Sequence, residues 1–109
     1  MRQYELRWAN LPAPIGRRLV LLLTRTPAYA YLNKVIVAEV TSTVREIPQE
    51  VPIGRREGLA RASVVNLDNV HVVAKACLGE LIGAFPPARE REVKRALGYA
   101  LGWPELKAL

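Results

Sequence analysis

Gly16-Arg-Arg-Leu-Val-Leu-Leu-Leu-Thr24 holds the reading on which the fold turns. Leu19–Leu23 is an unbroken apolar run, shorter than a typical helix and bounded by polar residues, which suits a central strand covered on both faces. Arg17 and Arg18 stand at its entrance. Upstream, Tyr4–Trp8 reads as a first strand, followed by a turn-rich, mobile loop at Asn10–Gly16, whose two prolines cannot donate to a sheet. Downstream, Thr26–Asn33 has a capping threonine and a proline at a first helical position, enough for one or two turns displaying Tyr29 and Tyr31.

Val35–Thr41 is β-branched and extended, Glu50–Pro52 adds a short strand, and Gly54–Gly58 has the glycines and charge of a hairpin loop. Ser63–Val73 is a further extended run broken by Asn66, Asp68 and Asn69, and Gly79–Ala84 closes the β part. Pro86-Pro87 then opens an amphipathic helix, because Val93, Ala96, Leu97, Ala100 and Leu101 recur on one face while Glu90 and Lys94 pair on the other. Short strands and one terminal helix define a small α+β domain, a curled sheet or open barrel capped by that helix.

With 109 residues and no repeat or linker, residues 1–109 form one domain. A domain so small buries only about two-thirds of its unfolded surface, so burial against a partner would help it. Sixteen Lys and Arg against ten Asp and Glu leave a charge of +6, which suits a polyanion such as nucleic acid or serves solubility alone. The excess of arginine favours phosphate contact and base stacking, although genome composition would produce it too. Cys77 is the one cysteine, so no internal disulfide forms and the thiol reads as a small core residue in a reducing compartment. No run approaches the ~18 apolar residues of a membrane span, and the start of the chain lacks a secretory apolar region, so the expected location is the cytoplasm and no membrane partner is expected.

Together, Gly16–Thr24, Val35-Ile-Val-Ala-Glu-Val-Thr-Ser-Thr43 and Ser63-Val-Val-Asn-Leu-Asp-Asn-Val-His71 resemble the three core segments of the MazF/PemK toxins in order and spacing. The resemblance implies an SH3-like barrel of the CcdB/MazF type with a C-terminal helix. It implies a homodimer that holds single-stranded RNA in a groove across its interface and cleaves it without metal or other cofactor, leaving a 2',3'-cyclic phosphate and a 5'-hydroxyl. It further implies a MazE-like antitoxin that blocks the groove, presenting an acidic, partly apolar tail.

The family's catalytic arginine and threonine fall on Arg18 and Thr41. A guanidinium is shaped to stabilise charge building on the phosphate as the 2'-hydroxyl attacks, and it holds its proton too tightly to serve readily as a base. The base is left unassigned. Arg17, Thr43, Ser63, Asn69 and His71 match or neighbour the family's RNA-lining positions. His71 either donates to phosphate and helps a proton move or is a strand histidine without catalytic duty. Arg55, Arg56 and Arg61 are phosphate contacts or a solvated turn, Asp68 is a base contact or a turn former, and Tyr29 and Tyr31 stack bases or pack the barrel.

Three residues depart from the family pattern: Leu19 replaces a proline, Tyr4 a glycine and Asn69 a glutamine. Two rival functions remain. One is a CcdB-like toxin trapping DNA gyrase through its terminal helix near Trp103, against which the Arg18 and Thr41 pattern counts. The other is an inactive homologue that only binds antitoxin.

Overall fold

The computed structural model describes all residues, 1–109. Six strands, β1 (Glu5–Leu11), β2 (Gly16–Leu22), β3 (Lys34–Thr41), β4 (Glu50–Ile53), β5 (Ser63–Ala74) and β6 (Leu78–Ala84), precede two helices, α1 (Glu90–Leu101) and α2 (Pro104–Lys107). The strands form one antiparallel sheet in the order β4-β5-β3-β2-β1-β6, curled into a half-barrel. This is the expected α+β class, with the SH3-like curl and the C-terminal helix in place.

β2 lies between β1 and β3, which explains its apolar run. Leu19 and Leu21 enter the core shared with α1, whereas Val20 and Leu22 join a second cluster on the opposite face with Ala9, Leu11, Val35, Val37 and Val73. Leu19 pairs in register with Trp8, so the departure from proline leaves the ladder intact up to Arg18. β1 runs three residues beyond its expected end, because Leu11 is buried beside Ala9 and pairs with Gly16, leaving only Pro12–Ile15 between the strands.

Thr26–Ala30 forms a 3-10 turn with Pro27 near its start, but Thr26 does not cap it. Its hydroxyl accepts the Gln3 backbone N–H instead, at 3.0 Å. Val93 and Ala96 of α1 are buried and Leu97 and Ala100 pack beside them, while Leu101 is exposed where the helix runs past the sheet. The Glu90–Lys94 ion pair does not form. The ion pairing at this end of the helix falls to Arg89, whose guanidinium lies 2.9 Å from Glu92 and 3.0 Å from Glu57. The Arg89 hydrogen bond holds the Glu92 carboxyl below its ordinary range.

Glu57 is buried, contrary to a purely solvated hairpin loop, and its carboxylate accepts the Gly54 N–H at 2.7 Å. This turn closes the barrel against β6. A Cβ on Gly83 would stand 2.0 Å from the Glu57 carbonyl oxygen, so the two backbones meet where only glycine fits. Cys77 is half-buried rather than a core residue, because it falls in the short turn leading into β6.

Tyr4, expected as a departure from glycine, sits at φ 70, in the left-handed region that glycine adopts freely. Its N–H donates to Leu22 O at 2.8 Å and its carbonyl accepts Phe85 N–H at 3.0 Å, while its ring lies in the core. Glycine here would relieve about 1–2 kcal/mol of strain but remove a buried aromatic worth about 3–5 kcal/mol. Tyr4→Gly is therefore expected to lower stability by about 1–4 kcal/mol in urea melts; a more stable variant would show that strain outweighs the packing.

Candidate RNA-cleaving face

β2 and β3 pair Val20 with Glu39 and Leu22 with Val37. Continuing that register by two residues sets Arg18 opposite Thr41, on the same face of the sheet. Both residues come to the rim because β2 begins and β3 ends there. They line a polar recess of about 380 Å³ with Glu39, Ser42, Thr43, Arg45, Asn66 and Asn69. The Thr43 N–H donates to Thr41 Oγ1 at 3.1 Å, which orients the hydroxyl and leaves its proton free to bond a phosphate oxygen. Arg18 is half-exposed and so open to solvent.

β5 supplies the third wall through an irregularity. Its register with β3 jumps between Ala38↔Val70 and Glu39↔Asn66, so Leu67, Asp68 and Asn69 are looped out of the ladder. The polar residues that interrupt the apolar run Ser63–Val73 thus mark this bulge. It brings Asn69 to the recess, and Asn66 holds its neck by accepting the Asp68 N–H at 2.9 Å. Asp68 itself points elsewhere, lining an apolar groove with Leu23, Ile36, Val70, Leu101 and Trp103.

Arg17 and Ser63 have the opposite parity and open onto a neighbouring recess of about 390 Å³, which Arg18 and Thr41 also line. The Arg17 guanidinium lies 4.2 Å from the centroid of the Trp8 ring, making a flat cationic platform suited to a base. Arg61 borders this second recess. Arg55 and Arg56 do not; they flank Arg89, Glu57 and Glu92 in a separate hollow. Tyr29 packs inside the second cluster, where burial pushes its phenol up to about 12, and Tyr31 is exposed and accepts a hydrogen bond from Arg25 at 2.8 Å.

Glu39, absent from the sequence-derived candidates, joins His71 to the site. One carboxylate oxygen contacts His71 Nε2 and the other lies 3.8 Å from Arg18 Nε. An acid in the otherwise apolar strand Val35–Val40 was the available signal. Asn66, Arg45 and Trp8 were likewise missed, because only the bulge and the sheet's curl carry them here.

A barrel with a basic, hydroxyl-lined recess across two strand ends is the architecture of a small nucleic-acid-processing toxin. Residues 2–101 match the family described as PemK-like, MazF-like toxin of type II toxin-antitoxin system, and the chain belongs to that family. It is 39% identical over 88 residues to Endoribonuclease MazF3 of Mycobacterium tuberculosis, covering 79% of this chain and 85% of that one. The solved structure of Mycobacterium tuberculosis toxin MazF-mt6 superposes with a TM-score of 0.84 at 35% identity, covering 90% of this chain and 96% of that chain. An endoribonuclease in complex with its cognate antitoxin, from a mycobacterial species, superposes with a TM-score of 0.83 at 26% identity, covering 95% and 97%. Two of these three likenesses are to proteins named endoribonucleases, which does not favour a gyrase-trapping toxin.

Proposed function

We propose that this chain is a single-domain endoribonuclease toxin that cleaves single-stranded RNA at a short sequence, without metal, and is held inactive by a cognate antitoxin. The observation that carries the reading is that Arg18 and Thr41, at the ends of adjacent strands, line both recesses. Arg18 stabilises the charge that builds on the non-bridging oxygens as the 2'-hydroxyl attacks phosphorus, and Thr41 donates to the same phosphate. Arg17, Thr43, Ser63 and Asn69 line the recesses on either side of that phosphate, with His71 linked to it through Glu39.

The protein acts as a homodimer with RNA lying across the two copies. The apolar side chains Ile36, Val70, Val72, Leu101 and Trp103 are exposed, and all but Val72 share one groove, a surface suited to cover by a second chain. No helix is long and apolar enough to cross a membrane, and a toxin acting on RNA belongs in the cytoplasm.

The test is incubation with long single-stranded RNA in EDTA, followed by mapping of the new ends. Cuts at one recurring motif, each leaving a 2',3'-cyclic phosphate and a 5'-hydroxyl, are expected. Intact RNA alongside a folded protein would instead favour an inactive homologue that only binds antitoxin.

A further inference from the structure

Cleavage by 2'-hydroxyl attack needs a group to take that hydroxyl's proton, and neither Arg18 nor Thr41 can readily do so at neutral pH. Glu39 is the one carboxylate lining the recess that holds both. It sits on the same face of β3 as Thr41, two residues away, and its side chain is only 17% exposed. Its two oxygens are differentiated: Oε2 is held by His71, and Oε1 faces the Arg18 side of the recess. His71 does not line the recess, so it stands behind the carboxylate.

We infer that Glu39 is the general base of RNA cleavage and that His71 positions it and draws its proton away, a proposal resting on the ribonuclease reading above. The 2'-O–H bond breaks and its proton passes to Glu39 Oε1 while the 2'-oxygen bonds phosphorus. The P–O5' bond then breaks, and the 5'-oxygen takes a proton from a solvent water. The proton on Glu39 leaves through His71 and neutralises the hydroxide produced, so the enzyme returns to its starting state. Arg18 turns Nε toward Glu39, at 3.8 Å, and Nη1 to the Arg17 carbonyl, at 3.3 Å, which leaves Nη2 for the phosphate.

The charged groups facing Glu39 are Arg18 from β2, His71 from β5 and Arg45 from the segment after β3. Glu50 of β4 ends the same cross-strand row, but its carboxylate is engaged by the Arg45 and Glu46 N–H groups at 3.0 Å. Cleavage needs Glu39 as the free carboxylate, so the rate falls when acid protonates it.

The experiment compares the wild type, Glu39→Gln and His71→Gln on one short RNA and on the same RNA carrying a 5'-bridging sulfur, whose departure needs no acid. For Glu39→Gln a loss of about 10²-fold or more in kcat is expected, with the acid limb of the pH profile flattened and the loss undiminished on the sulfur substrate. His71→Gln should lower kcat with KM little changed, because the carboxylate stays but is no longer held or relieved of its proton. Rescue of Glu39→Gln by the sulfur substrate would overturn the proposal by making Glu39 the leaving group's acid. An unchanged rate, or a reduced rate with an unchanged pH profile, would overturn it too. If Glu39→Gln melts early, His71→Gln decides alone, an unchanged kcat refuting the relay. Wild-type protein that leaves both RNAs intact would sink the ribonuclease reading instead.

Discussion

Arg18→Ala is expected to reduce kcat/KM for single-stranded RNA by about 10²–10³-fold, or about 2.7–4 kcal/mol of transition-state stabilisation. The loss should fall mainly on kcat, because the guanidinium meets charge that exists fully only in the transition state. Folding should be unaffected: Arg18 is half-exposed, and its contacts are a long pair to Glu39 at 3.8 Å and a 3.3 Å hydrogen bond to the carbonyl of Arg17. Thermal melts beside the cleavage assay separate the two effects. A variant that folds, pairs and still cuts RNA at the wild-type rate would remove Arg18 from the chemistry. A rise in KM alone would make it a binding residue.

Gly83→Ala should cost the fold more than any other single methyl group considered. The added Cβ meets the Glu57 carbonyl oxygen at 2.0 Å and its carbonyl carbon at 2.9 Å, and both are backbone atoms that cannot turn aside. β6 and the turn after β4 must separate, opening the barrel where Arg89 ties that turn to α1. Overpacking of this kind costs about 3 kcal/mol, which lowers the melting temperature by roughly 10–20 °C in a domain this size. Gly79→Ala is the internal control, since its Cβ would find only Trp8 O at 3.6 Å, an ordinary contact. Equal melting temperatures for the two variants would show that the closure yields freely.

Much of the site was legible along the chain because it lies at strand ends marked by abrupt changes in polarity. The apolar run Leu19–Leu23 fixed β2 as a strand covered on both faces, and Arg18 followed as the residue at its mouth. Thr41 closes the β-branched run in β3, and it was the resemblance to the MazF/PemK toxins, not the strand pattern, that singled out Arg18 and Thr41 for chemistry. The loop arginines show the limit of that method. Arg55, Arg56 and Arg61 look alike in sequence, yet only Arg61 reaches the recess beside Arg18. Their difference comes from the turn at Glu57, whose burial nothing local announces.

The sequence by itself determined the elements, the family and the two residues proposed for chemistry, because strand periodicity, helix periodicity and short motifs are properties of neighbours along the chain. Only the tertiary structure decided which side chains meet. The bulge in β5 delivers Asn69 to the recess and turns Asp68 away, and the register of β3 against β5 brings His71 to Glu39 and so to Arg18. Register is a relation between strands, here His71 and a residue of β3 thirty-two positions earlier. A looped-out triplet changes every pairing beyond it, and periodicity along one strand carries no record of its partner's offset.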